Sequence, residues 1–149
     1  MTSAKLSLPR GPNTPSAARR VVRNFCTDGG TTFEHIDDAA RIAGELAFIS
    51  ARQSRAPAIS LVLERTQQRF VVRVVDHATH ISGMRVGKSA SAERSWAVVR
   101  DHASAWGVSV TESGRELWAA LEPRGQATVL ATRDRSAQSV EASSADRPV

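Results

Sequence analysis

The sequence predicts an α+β domain of two layers, an α/β sandwich with three helices on one face of a mixed, mostly antiparallel sheet. Three observations point there. Two early segments repeat apolar residues at helical spacing. Two β-rich runs in the middle of the chain are separated by a polar stretch of hairpin length. A third helical segment then precedes two short closing runs of strand character.

Taken in order, Lys5-Leu6-Ser7-Leu8 alternates weakly and is stopped by Pro9, Gly11 and Pro12, which suits a short edge strand. Thr14 is placed to cap a helix with Pro15 at its first position, and Ala18, Val21, Val22 and Phe25 carry its apolar stripe as far as about Cys26. Asp28-Gly29-Gly30 ends it. His35–Arg55 forms a second helix, with Ile36, Ala39, Ala40, Ala43, Leu46, Ala47 and Ser50 facing the core. After Pro57, the runs 58–63 and 70–75 are rich in Val, Ile and Leu, and Glu64–Arg69 links them as an antiparallel pair. Asp76–Ala92 has little periodicity and reads as a long loop of the kind that often serves as a lid. Glu93–Ala105 is a third helix, ended by Gly107, with Trp96, Trp106 and Trp118 expected in the core. Val108–Val110 and Glu116–Leu121 close the sheet around Ser113-Gly114. The domain is thus expected over 1–122, with 123–149 a disordered tail rich in Ser, Ala, Asp and Arg.

Composition narrows the function classes. The 149 residues and a 41% hydrophobic fraction fit one domain with a sizeable core. No apolar run approaches the roughly 18–20 residues a bilayer span needs, so no membrane role is expected. The single cysteine excludes an internal disulfide framework and suits a reducing cytoplasm. The net charge of +5 invites a nucleic-acid reading, but the arginines are scattered among acids and no basic run is interleaved with aromatics. Charge alone supports that reading.

The residues that carry chemistry lie in four places. Asp37-Asp38-Ala39 through Glu45-Leu46 resembles the N-box helix of the GHKL (Bergerat-fold) ATPases, in their anti-sigma-factor/serine-kinase branch. Pro15-Ser16-Ala17-Ala18-Arg19-Arg20 resembles that branch's first helix entry. Trp106-Gly107-Val108 and Gly114-Arg115-Glu116-Leu117-Trp118 resemble an ending that usually reads Trp-Gly-Val and Gly-Lys-x-Val-Trp. The similarity runs over about residues 5–122 and implies a histidine-kinase-like ATPase fold with ATP and Mg²⁺ as cofactors. It implies Glu45 as the catalytic carboxylate that orients or deprotonates the attacking group. The Asn that would give Mg²⁺ an oxygen four residues later is Ile49, which has none, so no metal ligand is expected there. Ile49 also continues an apolar face with Ile42 and Leu46.

The remaining boxes are altered too. The Asp-x-Gly-x-Gly box, whose Asp meets the adenine amino group, corresponds to Asp76-His77-Ala78-Thr79-His80, which keeps the Asp and loses both glycines. The box Gly-Arg-Gly-Leu, which presents backbone N–H groups to the triphosphate, corresponds to Glu93-Arg94-Ser95-Trp96. Glu93 would oppose phosphate binding, and Arg94 and Lys88 would offset it. Asp76, Lys88 and Arg94 are therefore the remnant ATP-binding residues, and the expected protein is a pseudo-enzyme that regulates transcription by protein–protein binding in a partner-switching circuit. The implied partners are a sigma factor, an anti-anti-sigma protein or both, with a homodimer as an option. The alternative is a divergent but active serine/threonine kinase using Glu45 as base. Gly83–Ser89 is one residue short of a P-loop. His77 and His80 lack an evident third zinc ligand.

Overall fold

In the computed structural model the described residues are 1–27, 35–77, 90–112 and 114–122. They form β1 (Thr2–Pro9), α1 (Thr14–Thr27), α2 (Ile36–Gln53), β2 (Ala58–Arg65), β3 (Phe70–Asp76), α3 (Ala90–His102), β4 (Ala105–Thr111) and β5 (Gly114–Leu121). The sheet order is β1-β2-β3-β5-β4, and every ladder is antiparallel where a mixed sheet was expected. The last strand does not close the edge. It inserts between β3 and β4, so β3 finds an antiparallel neighbour. The expected tail, the expected 78–89 part of the loop, Lys88 and His80 lie outside the described residues.

The helices pack on one face of the sheet because the strand pleat sends alternate residues there. Leu61 and Leu63 of β2, Val72 and Val74 of β3, and Leu117 and Ala119 of β5 are cross-strand partners and fully buried. Helix α2 supplies the other half of this core through Ile42, Leu46 and Ile49. It lies centrally, against α1 on one side and α3 on the other. Its N-terminal turn carries Asp37 and Asp38, which suit the positive end of the helix dipole. His35 precedes it without a side-chain cap. His35 Nδ1 instead lies 3.1 Å from Asp38 Oδ2.

Four local expectations are revised. Thr14 does not cap α1. Its hydroxyl donates to the Pro9 carbonyl at 2.7 Å and accepts from the Gly11 N–H at 2.8 Å, pinning the turn between β1 and α1. Helix α3 begins and ends three residues earlier than expected. The Ser104 N–H donates to the Ala120 carbonyl at 2.8 Å, so ladder bonding takes over where a last helical turn would lie, and Ala105 and Trp106 become strand. Gly107 therefore sits within β4 and is not a helix stop. A Cβ there would lie 2.8 Å from Trp118 Nε1, so the glycine seats the indole. Trp118 is half-buried on the sheet face away from the helices, beside Arg73. Trp96 is buried as expected, its ring 5.3 Å from that of Trp106. On the outer face Arg73 bridges Glu64 and Glu116.

Gly114 opens β5 at φ +143°, and a Cβ would fall 1.8 Å from the Asp76 carbonyl oxygen. Gly114→Ala is expected to cost about 3 kcal/mol or more, combining overpacking with an unfavourable backbone. Urea unfolding checks this, and a loss below about 0.5 kcal/mol would contradict it.

Cys26 is fully buried and burial pushes its thiol pKa up, with the Arg65 charge opposing. Above the unfolded thiol's value of about 9 the unfolded state has lost its proton while the folded state keeps it, so stability falls as pH rises. The fall approaches about 1.4 kcal/mol per pH unit from this group. Cys26→Ala should flatten that alkaline slope in unfolding curves taken above pH 9.

Candidate functional site

The two ends of α2 and the strands beneath it divide the expected site into an open half and a closed half. The open half is a groove of about 310 Å³ between α1, α2 and α3. Glu45 and Phe48 of α2 line its floor together with Gly44, α1 contributes Pro15 and Arg19, and α3 contributes Ser91, Arg94, Ser95 and Val98. Helical spacing explains the convergence: positions 44, 45 and 48 share one side of α2, and 91, 94, 95 and 98 share one side of α3. Arg19 lies flat along α2, because a Cβ on Gly44 would meet its Nη1 at 2.7 Å and its Cγ at 3.0 Å. Phe48 carries Arg52 above its ring, Cζ 5.6 Å from the centroid.

Glu45 is half-buried, and among the described residues it has no ion-pair partner although Arg19 and Arg94 line the same groove. Glu93 is exposed and does not line the groove, so the opposing charge expected from it is directed elsewhere. Ile49 turns away from the groove into the core, 1% exposed beside Ile42 and Leu46. An aliphatic side chain buried there offers Mg²⁺ no oxygen, so the chain at this position does not fit the metal.

The closed half is at the far end of β3. Asp76 is fully buried, and Ser54 just beyond α2 donates its hydroxyl to Oδ1 at 2.7 Å while accepting the Ala56 N–H at 2.9 Å. Across the ladder Asp76 pairs with Arg115, which is 1% exposed. Arg115 Nη1 donates to Gln53 Oε1 at the C-terminus of α2. Burial lowers the Arg115 pKa and the Asp76 carboxylate works against that shift. The adjacent His77 leaves this cluster: its Nε2 lies 3.0 Å from Ser60 Oγ. Asp76, expected to face a ligand, is thus buried with its Oδ1 bonded to a protein hydroxyl, and its charge acts on the Arg115 cation across the ladder.

Of the residues singled out from sequence, Glu45 and Arg94 come together in the groove, Asp76 lies in the other half, and Lys88 is outside the described residues. Sequence reasoning missed Arg19, Gly44, Gln53, Ser54 and Arg115 as members of the site. Two signals were available. A glycine inside a helix costs about 1 kcal/mol relative to Ala, so Gly44 marks a close approach. Arg115 is in phase with Leu117, Ala119 and Leu121, the inward positions of β5.

No family model matches the chain, and no curated protein matches it. Solved structures do. One is the crystal structure of the RsbU and RsbW domains of Rv1364c from Mycobacterium tuberculosis, with a TM-score of 0.59 at 13% identity over 83% of this chain. The match covers 33% of that chain, so this protein spans about a third of the length of the one it resembles. What that match shows is the fold, in this chain an antiparallel five-stranded sheet with three helices, the two-layer arrangement expected from the sequence. Among the described residues no helix is long and apolar enough to cross a membrane.

Removing one member of a buried charge pair strands the other. Asp76→Ala is expected to destabilise the fold by about 3–5 kcal/mol, whereas Ser54→Ala should cost about 1–2 kcal/mol. Glu45→Gln, with no charge partner among the described residues, should stay within about 0.5 kcal/mol of the parent. Guanidinium chloride unfolding of the three variants checks the order. An Asp76→Ala variant as stable as the parent would mark Asp76 as a ligand-facing residue after all.

Proposed function

We propose that this chain is a regulator that works by binding proteins in a partner-switching transcription-control circuit, with little or no ATP turnover. The observation that carries this reading is the fate of two positions. The residue that the family resemblance assigns to adenine, Asp76, is fully buried and bonded to Ser54, and the residue at the metal position, Ile49, is part of the core. A site with neither its base contact nor its metal ligand available has lost the two contacts that position a nucleoside triphosphate for transfer. The scaffold around it is intact. That combination suits a protein retained for its surfaces. Support for the circuit comes from the resemblance of residues 5–122 to the anti-sigma/serine-kinase branch and from the fold shared with a chain carrying an RsbW domain. The implied partners are a sigma factor, an anti-anti-sigma protein or both.

A second reading has one observation in its favour. Glu45 lines an open groove with Arg19 and Arg94 nearby, an arrangement that would suit a carboxylate base beside a phosphoryl group. On that reading the chain is a divergent serine/threonine kinase. The two readings separate in calorimetric titration with Mg-ATP. The regulator shows no binding in the micromolar range, and micromolar binding would overturn it. Phosphate transfer to a purified partner that Glu45→Ala abolishes would establish the kinase. If partner binding survives Glu45→Ala unchanged and no phosphate is transferred, the kinase reading ends.

A further inference from the structure

Strand β1 is paired on one side only. It lies at the end of the sheet order, and among the described residues no strand runs along its other side. Its exit shows the phase of its hydrogen bonds. The Arg10 N–H donates to the Pro57 carbonyl at 2.9 Å, one step beyond the Pro9↔Ala58 pair. The Pro9 carbonyl accepts from the Thr14 hydroxyl at 2.7 Å instead. Bonded positions alternate along an antiparallel ladder, so Leu8, Leu6, Ala4 and Thr2 bond β2. Ser3, Lys5 and Ser7 therefore direct their N–H and C=O groups away from the sheet, and Pro9, which has no N–H to offer, shares that outward phase. The register runs without a bulge from Thr2↔Arg65 to Pro9↔Ala58. An edge of this kind is a template for another strand unless something blunts or covers it. The side chains are uncovered too. Leu6 lies opposite the fully buried Leu61, so it points to the helix side, yet it is 37% exposed in the middle of its strand. Helix α1 packs against this edge with Arg19 turned towards Gly44 of α2. Ala17 and Val21 occupy the opposite flank of α1 and are half-buried.

We propose that the free edge of β1 is a self-association surface, on which β1 of a second copy pairs antiparallel about a two-fold axis through Leu6. Few registers are open to such a pairing. Centred on Lys5, it sets two ammonium groups directly opposite each other, which is unfavourable. Centred on Ser7, it drops Ser3 from the ladder and sets the donor-less Pro9 against Lys5. Centred on Ala4, it sets Leu6 against Thr2 and leaves the leucine without an apolar partner. Centred on Leu6, it lets Lys5 of each copy exchange both ladder bonds with Ser7 of the other, since both residues lie in the outward phase. Leu6 then meets its own counterpart at a non-hydrogen-bonded position, where side chains approach most closely. The Ala17 and Val21 flanks of the two α1 helices face each other above the seam. The product is one continuous sheet with both helix layers on the same side. Donors, charge and the exposed leucine are all satisfied when the strand pairs with itself, and that identifies the occupant as a second copy. The surface is on the far flank of α1 from the Glu45 groove, so it stands whatever that groove binds.

Sedimentation of the full chain at about 100 μM, which captures micromolar dissociation constants, should give twice the mass of one chain. Ser7→Pro removes an outward N–H and leaves the β1–β2 ladder untouched, and the residue before a proline stays extended as Leu6 already is. It should halve the sedimenting mass without changing the circular dichroism spectrum. Mild oxidation reads the register. Leu6→Cys should run as a disulfide-linked dimer on a non-reducing gel, because the Cα atoms of such a pair are about 4.5 Å apart, within disulfide reach. Lys5→Cys, whose counterpart lies out of step across the seam, should stay unlinked. The native Cys26 is buried and silent in both. A monomeric parent overturns the proposal, including one whose edge is covered by its own residues 123–149. A dimer that Ser7→Pro leaves intact, or in which Leu6→Cys stays unlinked, also overturns it, because its surface lies elsewhere. Linking of Lys5→Cys in place of Leu6→Cys does the same. Should Ser7→Pro fail to fold, the two cysteine variants decide alone.

Discussion

A full positive charge lies inside this fold at Arg115, and the elements around it are arranged so that it can stay there. Strand β3 ends on Asp76 opposite it, α2 ends on Gln53 against its Nη1, and Ser54 ties the carboxylate to the exit of the same helix. Three elements far apart in sequence are thereby joined at one point. The desolvation cost of a buried guanidinium is several kcal/mol before compensation, so none of these contacts is dispensable once the charge is inside. The apolar core fills the space between sheet and helices. The charge cluster sets where β3, β5 and the end of α2 meet.

That constraint divides what would be one nucleotide site. The end beneath Asp76 is closed by protein groups, while the groove along α1, α2 and α3 stays open, with Glu45 in it and arginines on two sides. The groove is lined from three helices, with Arg19 lying along α2 over Gly44. The functional reading follows from this division more than from any single altered residue.

Much of this could be read from the chain itself. The inward turn of Ile49 follows from its spacing with Ile42 and Leu46, and the position of Glu45 follows from the same helix. The two β-rich runs pair as their separation implies, because Thr66 closes the turn by donating its N–H to the Arg69 carbonyl at 2.9 Å. Other features depend on tertiary pairing and were not legible. The burial of Asp76 depends on β5 running beside β3, which brings Arg115 opposite it from far along the chain. The end of α3 is set by tertiary pairing too, because the backbone of Ala105 and Trp106 is claimed by the ladder with β5. Trp118, expected in the core, has the strand parity of the outer face and lies over Gly107. In each case local propensity was outweighed by a partner strand distant in sequence.

The central claim is that the Arg115 guanidinium is buried beside Asp76 and is not displaced by nucleotide. Nitrogen-15 NMR of the arginine Nε–H groups tests it most directly, because a solvent-exposed guanidinium N–H exchanges too fast to persist at neutral pH. The account predicts a protected Nε–H signal that belongs to Arg115, lost in Arg115→Lys and unmoved by millimolar Mg-ATP. A spectrum with no protected signal, or one whose protected signal shifts or vanishes as Mg-ATP is added, would contradict it.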